Sequence, residues 1–194
     1  MAKVRMGAQP LIYPMPVFLV GANVAGRPNF LAVAWGGIAN GEPPMVSVAV
    51  RYQRYTHDGI KQNGTFSVNI PSADLVREVD YCGLVSGAGV DKVAACNFDV
   101  FYGKLGNVPL IEQCPVNLEC RVVHTLDLGS HSLFVGRIEE THISEDCLTE
   151  GKPDVGKIKP LAYVTSPASQ YQVLGEVIAR AFSCGKGLQV RKQP

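Results

Sequence analysis

The sequence predicts a mainly β fold with a few short helices, an all-β barrel or sandwich rather than a wound βαβ sheet. Three observations carry this. Short runs of β-branched and aromatic residues recur along the chain and are closed by Gly, Pro or Asn. Helical spacing of apolar residues is confined to modest segments in the first half. The stretch 117–143 reads as one long hairpin.

In chain order, VFLVGAN (17–23) and NFLAVAW (29–35) read as strands, and VAGRP between them carries a Gly-Pro turn signal. MVSVAV (45–50) is a further strand. THDGIKQNG (56–64) has the marks of a short helix: Thr56 as N-cap, Asp58 in the first turn, Asn63–Gly64 as the stop. TFSVNIP (65–71) alternates Phe66, Val68 and Ile70 on one face. Ser72 opens a second helix, in which Leu75, Val76, Val79 and Cys82 recur at three- and four-residue spacing. SGAGVDK (86–92) follows as a loop. In NLECRVVHTL (117–126), Leu118, Cys120, Val122, His124 and Leu126 share a face. DLGSH is the turn, and SLFVGRIEETHI (132–143) pairs back. Residues 146–160 read as a surface loop. PLAYVTS and QYQVLGEVI are closing strands, the latter with a helical alternative running through ARAF.

The chain has 194 residues, 46% hydrophobic and 18% charged. That suits one globular domain spanning 1–194, with no repeat and no low-complexity tract. A net charge of +1 gives no global field for nucleic acid or an anionic membrane, so any basic site must be local. No apolar run approaches the ~20 residues of a membrane helix, and the N-terminus lacks the pattern of a signal peptide. A cytoplasmic protein is expected. The six cysteines include no CxxC pair; free thiols in a reducing compartment are expected, and no metal site.

The usual nucleotide and hydrolase motifs are absent. GAGVDK lacks the third glycine of a dinucleotide fingerprint, and GKG lacks the rest of a phosphate loop. There is no HExxH and no GxSxG. Of the four histidines, His124 is expected in the core, His57 on a solvated helix face and His142 on a strand surface. His131, at the hairpin turn, has more freedom to face a site.

RYQRYT (51–56) concentrates donors at a strand end. Arg54 offers a planar donor fork, and Thr56 a hydroxyl beside the free amides of a helix start, which suits a phosphate. Lys92 could add charge. Those residue types fit a solvated loop equally well.

NFLAVAW, EPPMVSVAV, RYQRYTHDGIKQNGTFSVNIP, YCGLVSGAGVDK, LGSHSLFVGRIEETHI, PLAYV and YQVLGEVIARAFSCGKGL, in that order and spacing, resemble the flavin reductase-like family with an FMN-binding split barrel, and within it the flavoredoxins. The resemblance covers nearly the whole chain. It implies a Greek-key split barrel that binds FMN at a homodimer interface. It puts Asn29, Ala34 and Trp35 against the isoalloxazine ring; for Trp35 the other reading is a core anchor. It puts Val50 and Arg51 along the ring or ribityl chain, Arg54, Thr56 and Lys92 at the phosphate, and His131 near the polar edge of the ring. His131 or Lys92 would supply a cation favouring the reduced flavin. An aromatic that many relatives carry after the PL-Y segment is replaced here by Val164. Two activities follow from the resemblance: an electron carrier between redox protein partners, or an NAD(P)H-dependent flavin oxidoreductase.

Overall fold

The computed structural model describes residues 1–188. In chain order it contains β1 (Met15–Pro16), β2 (Phe18–Val24), β3 (Arg27–Val33), β4 (Gly36–Gly41), β5 (Pro44–Arg51), α1 (Tyr55–Asn63) and β6 (Thr65–Ile70). A 3-10 turn, Ala73–Leu75, leads into α2 (Val76–Leu84), followed by α3 (Lys92–Ala95), β7 (Val100–Tyr102) and β8 (Pro109–Ile111). The long hairpin is β9 (Val116–Asp127) and β10 (His131–Ile143). Short pieces close the described chain: β11 (Leu148–Thr149), β12 (Lys152–Pro153), α4 (Val155–Ile158), β13 (Leu161–Val164) and β14 (Gln170–Val173).

Seven antiparallel strands form the main sheet in the order β3-β2-β6-β9-β10-β5-β4. Its two edge strands, β3 and β4, are consecutive in the chain and joined only by Ala34 and Trp35. The sheet must therefore curl until its edges meet. The Ala49 amide donates to the Trp35 carbonyl at 2.8 Å, which carries the β4–β5 ladder into this connection. The result is a split barrel with Greek-key connections.

The interior is filled by the inward residues of each strand, among them Val20, Val46, Val48, Phe66, Val68 and Phe134. Phe66, Val68 and Ile70 share the core face, as their alternation predicts. A second apolar cluster lies outside the barrel, where Leu19 and Phe30 meet Val79 and Cys82 of α2 and Ile111 and Leu161. Helix α1 covers β2 closely. A Cβ on Gly59 would lie 2.6 Å from the Asn23 carbonyl oxygen, which explains a glycine inside a helix. The β2–β3 turn takes φ of 50° at Ala25 and 77° at Gly26, a conformation that suits a two-residue hairpin.

Several expectations need correction. Arg54, not Thr56, occupies the N-cap of α1, although Gly64 ends the helix in the left-handed conformation as predicted. Strand β4, GGIANG, carries little β propensity and forms because β5 pairs with it. The segment Ser86–Lys92 is a loop, but Lys92 then begins α3, capped by the Asp91 carboxylate, which accepts from the Ala94 amide. The loop at 146–160 contains a small hairpin and α4, and it buries Cys147 and Ile158. The closing strand stops at Val173. His124 and Leu126 are exposed, because the far end of the hairpin projects past the barrel and has no core beneath it. Conversely, His57 is buried, and His142 is half-buried against Glu119 at 2.8 Å. Among the described residues, all six cysteines are free and no cluster could hold a metal. No described helix is long and apolar enough to cross a membrane.

Candidate functional site

A cavity of about 480 Å³ opens beside the barrel seam, a size that suits a small organic ligand. One wall comes from the seam and its neighbours: Ala34 and Trp35, then Ala49, Val50 and Arg51 at the end of β5, then His131 at the start of β10. Register explains the grouping, since His131 and Arg51 are direct partners in the β5–β10 ladder. Trp35 is 44% exposed. It stacks on His131 with ring centroids 4.8 Å apart and planes 24° from parallel. It is therefore a cavity wall and not a core anchor. The facing wall carries Asp80, Gly83 and Leu84 of α2, and Tyr163 and Tyr171 from the β13–β14 pair. The Tyr171 hydroxyl donates to the Asp80 carboxylate at 3.1 Å. Burial, and then that carboxylate, raise the Tyr171 pKa well above its ordinary value, so the phenol stays protonated.

Positive charge collects at one end. Arg54 lines the cavity, and its Nη1 donates to the Gly83 carbonyl at 3.1 Å. Behind it, Lys92 is only 3% exposed. Its Nζ donates to the carbonyls of Phe30 and Cys82 at 2.9 and 2.8 Å. Cys82 and Gly83 belong to the last turn of α2, whose carbonyls carry partial negative charge and attract cations. Burial lowers the Lys92 pKa, and the Arg54 guanidinium adds to that, partly offset by the Cys82 thiol. Among the described residues, no carboxylate lies within ion-pair distance of Arg51, Arg54 or Lys92. Arg54 is also the N-cap of α1 and no side chain caps that end, so the first amides of the helix are left without an intrahelical partner beside Arg54. Thr56 and Asn29 sit beneath, both buried, with Asn29 Nδ2 donating to Thr56 Oγ1 at 2.7 Å. The 86–91 loop presses on them: a Cβ on Gly87 would come within 1.9 Å of Asn29 Oδ1.

A flat aromatic wall with unpaired cations at one end fits an amphipathic, planar anion. The sequence itself matches the profile of the flavin reductase like domain over residues 10–171. The chain belongs to the flavin reductase like family. It is similar to the crystal structure of flavoredoxin from Methanosarcina acetivorans, at 44% identity, covering 97% of this chain and all of that one, with a TM-score of 0.92. Flavoredoxin of Desulfovibrio vulgaris (Miyazaki F) follows at 36% identity, 95% and 100% coverage and a TM-score of 0.89. More distantly, the chain is 29% identical over 107 residues to a ferric-chelate reductase (NAD(P)H) of Archaeoglobus fulgidus, covering 54% of this chain and 62% of that one.

On this flavin reductase like scaffold, the residues expected at the site divide into two groups. Ala34, Trp35, Val50, Arg51, Arg54 and His131 line the cavity together. Asn29, Thr56 and Lys92 do not; they form the buried layer under its cationic end. His131 does not fit the cationic role. Burial, and then the Arg51 guanidinium, hold its pKa below the ordinary histidine value, so the imidazole is neutral at pH 7. Lys92 is fixed on two carbonyls below the surface, and Arg51 is the permanently charged group on the His131 side. Sequence reasoning missed Asp80, Tyr163 and Tyr171. Asp80 read as the polar face of an amphipathic helix. The tyrosines were visible as aromatics in two closing strands, and only the pairing of β13 with β14 places them side by side, with ring centroids 5.6 Å apart.

Proposed function

We propose that the cavity holds FMN and that the protein is a flavoredoxin-type electron carrier, working as a homodimer between redox protein partners and folding over 1–194 as one domain. The carrying observation is an aromatic-walled cavity lined by Arg51 and Arg54, neither of which is ion-paired to a carboxylate. Arg54 and the free amides of α1 take the phosphate, by charge-assisted hydrogen bonds and the helix dipole. Lys92, Thr56 and Asn29 stiffen the floor of that subsite from beneath. Trp35, Ala34 and Val50 offer apolar surface to the ring, and neutral His131 offers a hydrogen-bonding nitrogen at its edge. Arg51 holds positive charge near that edge and favours the anionic reduced form. FMN, when bound, supplies the redox chemistry. The chain contributes binding and electrostatics, consistent with a sequence that carries no nucleophile motif.

Arg54→Ala is expected to weaken FMN binding roughly 10- to 100-fold while changing riboflavin binding less than about threefold, since only FMN carries the phosphate. Fluorescence titration of both flavins measures this, and equal losses would remove Arg54 from the phosphate.

The likeness to a ferric-chelate reductase (NAD(P)H) favours a second reading, an NAD(P)H-dependent flavin oxidoreductase. Anaerobic mixing of the yellow protein with NADH or NADPH separates the two. Colour that persists over many seconds supports the carrier, and bleaching within typical turnover times, roughly 0.1 s, supports the reductase.

The homodimer has structural support in an uncovered sheet face. Leu126, Leu133 and Ala49 lie in one row across β9, β10 and β5. Ala49 also lines the cavity, so that face runs into the site.

A further inference from the structure

The outer wall of the cavity is made of two elements, α2 and the β13–β14 pair. Among the described residues, no backbone hydrogen bond joins α2 to β14. β14 pairs only with β13, in a three-stranded sheet of order β1-β13-β14 that is separate from the main sheet. β13 is held on both sides, by β1 and by β14. Its base is fixed as well: the Ala73 amide donates to the Lys159 carbonyl at 2.9 Å, and Ser72 bridges to Pro160. β14 lacks such support. It is an edge strand that brings Tyr171 into the cavity wall, next to Thr165 and Ser169 of the connecting turn. On its other side lies a second cavity of about 540 Å³, lined by Ala73, Val76 and Leu161 together with Tyr171, Gln172 and Val173. β14 therefore stands between two spaces, and unfilled space on a side chain forfeits its packing contacts.

One bond crosses from β14 to α2. The Tyr171 hydroxyl donates to the Asp80 carboxylate at 3.1 Å, a charge-assisted hydrogen bond. Among the described residues, Asp80 forms no ion pair, and Tyr171 is its one side-chain partner. Burial and that carboxylate keep the phenol protonated, so it remains a donor.

We infer that the Asp80–Tyr171 bond latches β14 onto α2 and sets how fast flavin enters and leaves the cavity. The inference rests on the reading that the cavity holds FMN. Closed, the bond completes the wall that faces Trp35 and His131. Broken, it lets β14 and the 165–169 turn move toward the second cavity while β13 stays anchored. Such a gate acts on passage in both directions, and on affinity far less. Slow exchange suits a carrier, which must keep its flavin between encounters with its partners.

The test compares the full-length chain with Tyr171→Phe, Asp80→Ala and the two combined. Each removes the bond, and Asp80 is an exposed helix position where alanine is well tolerated. Flavin fluorescence in stopped flow follows FMN capture by the stripped protein and FMN release from the loaded protein after dilution. Both rate constants are expected to rise roughly tenfold in each single variant, with the dissociation constant within about threefold of wild type. The double variant is expected to be no faster than either single one, because the two side chains share one bond. Release that speeds up while capture stays unchanged would make Tyr171 or Asp80 a direct flavin contact and overturn the latch. Rates that match wild type, or effects that add in the double variant, overturn it too, and in each of these cases the flavin reading stands. A wild-type chain that binds no FMN overturns that reading and the latch together.

Discussion

At the residue scale, the Trp35–His131–Arg51 group makes a direct prediction. Trp35 is the only tryptophan, so its fluorescence reports on this stack alone. A protonated imidazole quenches a stacked indole, and the neutral ring does so far less. The His131 pKa lies below its ordinary 6.5, because burial and the Arg51 guanidinium both disfavour the charged form. Emission is therefore expected to fall on acidification with its midpoint below pH 6.5. Arg51→Gln removes the repulsion and moves the transition upward. An unshifted transition in that variant would show that Arg51 does not act on His131. The same group shows what a sequence makes visible. Arg51 and Arg54 stood out as donors concentrated at a strand end but fitted a solvated loop equally well, and the family resemblance assigned them and Trp35 to a site. His57 did not. Its burial depends on Ser132, 2.9 Å from its Nε2, and on the Phe134 ring 5.3 Å away. Both belong to a strand more than seventy residues later, and nothing local marks the contact.

At the scale of elements, the clearest device is the tie between the β9–β10 hairpin and the loop after β7. Glu119 is fully buried in β9. Its two oxygens accept from the backbone amides of Lys104 and Leu105 at 2.8 and 2.7 Å, and His142 of β10 lies 2.8 Å away. A Cβ on Gly103 would come within 2.1 Å of Glu119 Oε1, so a glycine is required where the loop passes. Burial alone would raise the Glu119 pKa. The bonds from His142, Leu105 and Lys104 outweigh it and leave the pKa lowered. A carboxylate with a depressed folded pKa stabilises the fold above its unfolded value of 4.5 and loses that contribution as pH falls through the folded pKa. Glu119→Gln is expected to cost ~1–3 kcal/mol at pH 7 and to flatten the acid limb of stability below pH 4.5. Urea titrations at several pH values measure both, and parallel curves for the two proteins would refute the linkage. None of this was legible in NLECRVV, where Glu119 read as an outward residue of an alternating strand. Strand pattern told which face was apolar. It could not tell that a separate loop covers the other face. Strand β4 was missed for a related reason: GGIANG becomes a strand only through pairing with β5, which MVSVAV announced on its own.

At the scale of the whole molecule, a split barrel is joined to apolar surface that the chain itself does not cover. Antiparallel strands that satisfy each other's backbone groups let the barrel fold from one chain. The uncovered row across β9, β10 and β5, the projecting hairpin end with Leu126 and Leu128, and the exposed terminal segments put apolar area in water. In the proposed homodimer, association would remove that area and stabilise the folded chain by mass action. Thermal stability is accordingly expected to depend on concentration: the midpoint should rise by several degrees over a hundredfold increase in protein. Each tenfold step contributes about 1.4 kcal/mol per dimer, about 0.7 per chain, and 1 kcal/mol is worth about 2–4 °C in a chain of this size. Differential scanning fluorimetry or calorimetry over that range, with flavin absent, isolates assembly from cofactor binding. A midpoint independent of concentration would mean that each copy is stable alone and that its apolar face serves a different partner.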